Sequence, residues 1–296
     1  MTVRAVVVGS LVMDLSFAVP RRPEAGDVVV ATRFGQYRGG KGYDQAVALA
    51  RLGVDVTFIG AVGQDDFGRQ FLAALDAEGV DATRMVVTRD APTSVAVPMV
   101  TPDGDVAFVH SPGANHHLLP DAVEHLPACD VLLLQGEVPI ATSIAAARQA
   151  RSADATVMLN PAPVHAITPE LLSVADFLTP NEIEAHGLAP NTLDPAAMTD
   201  ALAAGRRGAI ITLGARGAVW SIDGERGSTQ PPAVRAVDAT GAGDAFCAAL
   251  AVALIEGQNA ADAVRFACAA GAAAATVHGA EPGLPTRQAV ERLASR

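Results

Sequence analysis

The sequence predicts an α/β domain that carries a small antiparallel flap. Short, continuously apolar runs end at glycine or a polar turn: Ala5 to Val8, Thr57 to Gly60, Val131 to Leu134, Thr156 to Leu159 and Ala209 to Leu213. Runs of that length and character are expected of strands buried on both faces. Segments with helical spacing alternate with them, as in Phe67, Phe71, Leu72 and Leu75 before Gly79. A separate pair of β-type segments, Val95 to Val100 and Val106 to His110, is joined by Pro102-Asp103-Gly104-Asp105, which is hairpin turn chemistry.

Composition narrows the partners. The 296 residues are 50% hydrophobic with a formal net charge of −11, enough to build a large core and unsuited to nucleic acid or an anionic membrane. Aromatic residues are only 4%, too few for a base-stacking surface. Cys129, Cys247 and Cys268 lie far apart without metal-ligand spacing, so a reducing, cytoplasmic setting is expected. No apolar run reaches the roughly 18 residues of a membrane span. The first apolar run is broken by Gly9 and Asp14 and resembles a first strand, not a signal peptide. No internal repeat or low-complexity linker is present, so residues 1–296 are expected to form one domain with its flap.

Taken in order, the first strand ends at Gly9-Ser10, and Asp14 falls just past it, where ligands gather in open α/β sheets. A turn residue is the alternative for Asp14. Val28-Val29-Val30 is expected as a short strand outside the main sheet. Gly39-Gly40-Lys41-Gly42-Tyr43-Asp44 precedes a helix, Val47 to Leu52, closed by Gly53. It is no P-loop, because Gly42 follows the lysine where Ser or Thr is needed. Its glycines permit close backbone approach to a ligand flanked by Lys41 and Asp44, and a simple turn accounts for it equally well. Asn115-His116-His117 has no further ligands at suitable spacing and is expected to be a loop before a helix at Pro120.

Gln135-Gly136-Glu137 and Asn160-Pro161-Ala162-Pro163 fall at strand carboxyl ends, and a helix Pro139 to Arg151 lies between them. Asn181 and Glu184, at i and i+3, share a helix face. That face suits a hydrated Mg²⁺; a capping box is the alternative. Asp194 caps a further helix. The alanine-rich helix Ala260 to Thr276 permits close approach of a neighbouring helix or of a flat ring such as adenine.

The stretch Asp238-Ala239-Thr240-Gly241-Ala242-Gly243-Asp244 lies between a strand-like approach, Val234 to Val237, and an apolar helix, Ala245 to Ile255. Small residues at a helix start let backbone N–H groups converge, and the helix N-terminus adds about half a positive charge. An anion hole for a transferring phosphate follows. A carboxylate beside it, Asp244, fits the role of general base for a hydroxyl that attacks a phosphoryl group. The alternative is a glycine-rich helix start with Asp244 as its cap.

The motifs form an ordered set. Gly9-Ser10 with Asp14; Gly39 to Gly42 with Gln45-Ala46; Asn160 to Pro163; Thr179-Pro180-Asn181-Glu182 with Glu184; Thr212-Leu213-Gly214 with Gly217; and Asp238 to Asp244 together resemble the ribokinase-like (PfkB-type) carbohydrate kinases, most strongly their ribokinase branch. The resemblance covers nearly the whole chain. It implies a three-layer αβα sandwich with a mostly parallel central sheet and an antiparallel β-flap lid from about 15–38 and 94–112. It implies transfer of the ATP γ-phosphoryl to a sugar's primary hydroxyl, and a homodimer through the lid. Asp244 would be the base, with the amides of Gly241, Ala242 and Gly243 as anion hole. Val12, Asp14, Gly39, Gly40, Lys41, Asp44 and Glu137 would face the sugar. Asn181, Thr212, Gly214, Gly217, Gly243 and Cys268 would hold the nucleotide. Glu184 would organise Mg²⁺ through water. K⁺ would bind at Asp238, Thr240, Ala274, Val277, Gly279 and Gly283, mostly through backbone oxygens.

Three departures from that branch matter. Val12 stands for Asn, Tyr43-Asp44 for Ala-Asn, and Gly283 for a residue with a side-chain oxygen. Valine cannot hydrogen-bond a hydroxyl, so the acceptor is expected to be other than plain ribose and to lack a hydroxyl near Val12. Asp14, Asp44, Glu137 and Asp244 around Lys41 would repel a sugar phosphate, so a neutral acceptor is expected. The rivals are a nucleoside kinase of the same fold, favoured by Val12 and Tyr43, and a non-catalytic sugar sensor. A nicotinamide-dependent oxidoreductase is disfavoured because Gly9 to Asp14 lacks G-x-G-x-x-G.

Overall fold

The computed structural model describes residues 3–295. Arg4–Val8 pairs in parallel with Asp55–Ile59 on one side and Val131–Leu134 on the other. Thr156–Leu159, Phe177–Leu178 and Gly208–Thr212 extend the parallel order, and Ala218–Ile222 and Glu225–Thr229 finish the eight-stranded sheet in antiparallel fashion. Successive side chains of a strand point to opposite faces. Ala5 and Val7 therefore enter one core, while Val6 and Val8 enter the other. The first core packs the helices Lys41–Arg51, Ala242–Ile255 and Ala260–Ala274. The second packs Ile140–Ser152 and Pro195–Ala203. This is the expected αβα sandwich.

The lid is a four-stranded sheet in the order Arg33–Gly39, Val12–Ala18, Val95–Val100, Val106–Ser111. Its outer pairings are antiparallel and its central one is parallel. Val28 to Val30 are not a strand: they are coil with Val28 and Val30 exposed, and the lid strand begins at Arg33. No neighbouring strand offers them a ladder, so β propensity alone does not order them. Val234 to Val237 are likewise irregular and not strand-like. The segment at Pro120 is one short 3₁₀ turn, Pro120–Val123. Asn115 is buried and bonds Leu11 through both its amide groups, accepting from the backbone N–H at 3.1 Å and donating to the carbonyl at 2.9 Å.

Two glycines of the Gly39 to Gly42 run lie close against protein backbone. A Cβ on Gly42 would lie 2.5 Å from the Ser10 nitrogen, and one on Gly40, whose φ is 98°, would lie 2.8 Å from that of Val12. They let the helix Lys41–Arg51 begin against the end of the first strand. The helix therefore starts at Lys41, earlier than the apolar run Val47 to Leu52 indicates.

Candidate active site

Asp244 stands in the first turn of the helix Ala242–Ile255 and is 6% exposed. It is not the cap: Gly241 holds that position with a left-handed φ of 78°. Gln45 donates from Nε2 to Asp244 Oδ1 at 2.9 Å, and Gln135 donates from its Nε2 to Gln45 Oε1 at 2.6 Å. Burial raises the Asp244 carboxyl above its ordinary range, while the Lys41 ammonium and the Gln45 amide pull it back down. Burial by itself would lower the Lys41 ammonium; the Asp244, Glu137 and Glu184 carboxylates around it more than reverse that.

The amides ahead of Asp244 are not equivalent. The Ala242 N–H donates to the Ala239 carbonyl at 3.1 Å. The three-amide anion hole is therefore corrected: the tight turn made by Gly241 uses the Ala242 amide internally. Among the described residues, the N–H groups of Gly241 and Gly243 have no such partner. Gly243 is exposed, and a Cβ on it would meet nothing within 4 Å.

Acceptor candidates gather on one side of this helix start. Val12 and Asp14 share a face of the strand Val12–Ala18, and Val12 is buried opposite Gly39. A Cβ on Gly39 would meet Asp14 Oδ2 at 3.1 Å and Asp44 Oδ2 at 3.9 Å, so both carboxylates border the gap that glycine leaves. Burial and the Glu137 charge push Asp14 up to about 6. Asp44 is held well above the usual carboxylate range by burial and then by Asp244 and Asp14, with Lys41 opposing. Glu137 accepts from the Ser10 hydroxyl and, at 3.0 Å, from the Lys41 backbone N–H. Tyr43 does not belong to this cluster. It is fully buried, edge-on to Phe71 at 5.0 Å, and its hydroxyl accepts from Arg38 Nε at 3.2 Å. It cannot stack on a nucleoside base, because its position on the helix points it into the core.

On the other side lies a cavity of about 570 Å³ lined by Thr212, Gly214, Gly217, Gly243 and Cys268 among others. Asn181 is not on its wall; it bridges Thr212, and its side-chain oxygen accepts within a capping box. Asn181 Oδ1 accepts from the Glu184 N–H and Glu184 Oε2 from the Asn181 N–H, both at 2.8 Å. The cavity wall also takes Phe246, Ala272 and the irregular residues Pro231 to Val234 and Ala236. On the alanine-rich helix, Ala267 and Ala270 pack in the core, while Gly271 and Ala272 line the cavity.

The family model described as "pfkB family carbohydrate kinase" matches residues 3–287. The chain belongs to that family. A ribokinase of Bacillus subtilis is 38% identical over 98% of each chain. The structure of a ribokinase from Arabidopsis thaliana complexed with ribose and ATP superposes with a TM-score of 0.91, at 32% identity and full coverage of both chains. A ribokinase from Thermotoga maritima gives the same TM-score at 30% identity, covering 99% of this chain and 100% of that one.

No cluster of three or more His, Cys, Asp or Glu among the described residues suits a dedicated cage. Glu184 keeps one carboxylate oxygen outside the capping box, which fits a Mg²⁺ that retains most of its waters. For a monovalent cation, the donors are all oxygen. Ala274 O and Val277 O lie 2.8 and 3.6 Å from where a Gly283 Cβ would sit, so these carbonyls converge. Asp238 accepts from Thr240 N–H and Oγ1 at 3.0 and 2.7 Å and from Gly279 N–H at 2.9 Å. Those bonds hold its carboxyl low despite burial.

Gln45 and Ser10 join the site through Asp244 and Glu137 without a role foreseen from the sequence. Gln45 lies four residues after Lys41, on the same helix face, and that spacing was the available signal.

Proposed function

We propose that this chain is an ATP-dependent sugar kinase of ribokinase type that moves the γ-phosphoryl of ATP to a primary hydroxyl of an unphosphorylated sugar. One observation carries the reading: the buried Asp244 adjoins Gly243, which lines the cavity and whose amide has no backbone partner among the described residues, while Asp14, Asp44, Lys41 and Glu137 gather near Asp244 and line no part of that cavity. The likeness to ribokinases, one complexed with ribose and ATP, supports it.

In this reading the acceptor lies against Val12, Asp14, Gly39, Gly40 and Asp44. Asp244 accepts the hydroxyl proton as the new O–P bond forms and the bond to the β-phosphate oxygen breaks, leaving ADP. The Gly241 and Gly243 amides face the equatorial oxygens, where fixed donors act most strongly. Lys41 offsets the charge between Asp244 and Glu184. Glu184 would hold Mg²⁺ through water, and Mg²⁺ supplies charge neutralisation at the phosphates. Asp238, Thr240, Ala274, Val277, Gly279 and Gly283 would hold K⁺. Val12 disfavours an acceptor hydroxyl opposite it, since an unpaired buried hydroxyl costs about 1–3 kcal/mol.

The chain is proposed to act in the cytoplasm as a homodimer clasped through the lid, whose Phe34, Phe108 and Val109 are 56%, 66% and 62% exposed. A coupled ADP assay with a panel of free pentoses, deoxypentoses, hexoses and nucleosides tests the function, run with K⁺ and with choline. A neutral sugar should give the highest kcat/KM, with a deoxy-sugar above ribose. Turnover of nucleosides alone, or none, contradicts the reading; ribose equal to or above every deoxy-sugar removes the Val12 argument.

A further inference from the structure

Among the described residues, Asp44 Oδ1 is a buried polar atom without a hydrogen-bond partner, and its residue is 5% exposed. Its other oxygen and that of Asp14 border the gap beside Gly39. A buried carboxylate that only accepts would leave four charged acids, Asp14, Asp44, Glu137 and Asp244, against the one ammonium of Lys41. Two of the four have partners: Glu137 takes the Ser10 hydroxyl and the Lys41 amide, and Asp244 takes Gln45. Asp44 has no such donor. A neutral carboxyl offers one O–H donor and keeps acceptor capacity, which is the hydrogen-bonding repertoire of an amide.

We propose that Asp44 is a specificity residue of the acceptor subsite and that it works as a neutral acid, donating one hydrogen bond to an acceptor hydroxyl and accepting another. The inference rests on the acceptor-site reading above and deepens it: the favoured acceptor presents to Asp44 an oxygen that accepts a hydrogen bond. The charged groups facing Asp44 come from every neighbouring element. Asp14 lies on the strand Val12–Ala18, Lys41 on Asp44's own helix, Glu137 on the loop after Val131–Leu134, and Asp244 on the helix Ala242–Ile255. Burial, Asp244, Asp14 and Glu137 all oppose ionisation, and only Lys41 favours it.

Infrared spectroscopy of the whole chain labelled with ¹³C-aspartate tests the proposal without any acceptor. Near neutral pH, the wild type should show the carbonyl stretch of a protonated carboxyl group that is missing from Asp44→Asn. In Asp14→Asn that band should vanish at lower pH, because one opposing charge is gone. Where the wild-type band titrates away, the KM of the best sugar in the panel should rise by about tenfold, the equivalent of one lost hydrogen bond. The KM of Asp44→Asn should not follow that titration. Absence of the band at neutral pH overturns the proposal, and so does a KM that ignores the band's titration. If no sugar is turned over, the kinase reading fails while the infrared result still decides the state of Asp44.

Discussion

Gln45 and Asp244 are 199 positions apart in the chain, yet the amide of one donates to the carboxylate of the other at 2.9 Å inside the protein. This bond joins the start of the helix Lys41–Arg51 to the start of Ala242–Ile255, and Gln135 extends it to the central sheet. The Gln45 donor lowers the Asp244 carboxyl against the effect of burial. Gln45→Leu removes that donor, so the acidic limb of the kcat/KM profile should move to higher pH. The pH–rate profile of the variant checks this.

Gly42 and Gly243 are both glycines of candidate motifs, and their substitution should separate fold from ligand. A Cβ on Gly42 would strike the backbone of Gly9 and Ser10 at 2.6 and 2.5 Å. Gly42→Ala should therefore cost about 1–3 kcal/mol, read as a lowered Tm. A Cβ on Gly243 meets no protein atom within 4 Å and enters the cavity. Gly243→Ala should keep the wild-type Tm and raise the KM for ATP by about tenfold or more, roughly the effect of one hindered phosphate contact. Calorimetry and ATP titration check the pair.

Much of this architecture was legible in the sequence. Continuous apolar runs such as Val131 to Leu134 name parallel strands because both their faces are buried, and the turn at Pro102 to Asp105 names the lid hairpin. Positions set by tertiary contact were not legible. Val28 to Val30 have strand propensity without a partner strand. Tyr43 sits beside Asp44 in sequence, yet on a helix adjacent residues face different ways, so one enters the core and the other the site. The use of the Ala242 amide within its own turn depends on the φ of Gly241. The capping box at Asn181 and Glu184 was visible as an alternative, and geometry alone decided that it forms.

Asp14 gives a pH test of stability. Its carboxyl rises from 3.8 to about 6 on folding, through burial and then through Glu137. The folded state thus holds this proton over a range where the unfolded chain has lost it. Its contribution to stability is complete below about pH 4 and is lost as pH rises through about 6. The loss is of order 2 kcal/mol after allowance for its partial exposure. In Asp14→Asn that decline should be missing, and the variant should be the more stable one above pH 6. Urea unfolding of both proteins across this range checks the sign.

The central claim is that Asp244 takes the acceptor's proton. Its most direct test is rapid-quench measurement of a single turnover by Asp244→Asn, with ATP and acceptor bound at saturation. Phosphoryl transfer should slow by at least about a hundredfold while the dissociation constants for ATP and sugar stay close to those of the wild type. Transfer at the wild-type rate in a variant whose fold and binding are intact would contradict the account.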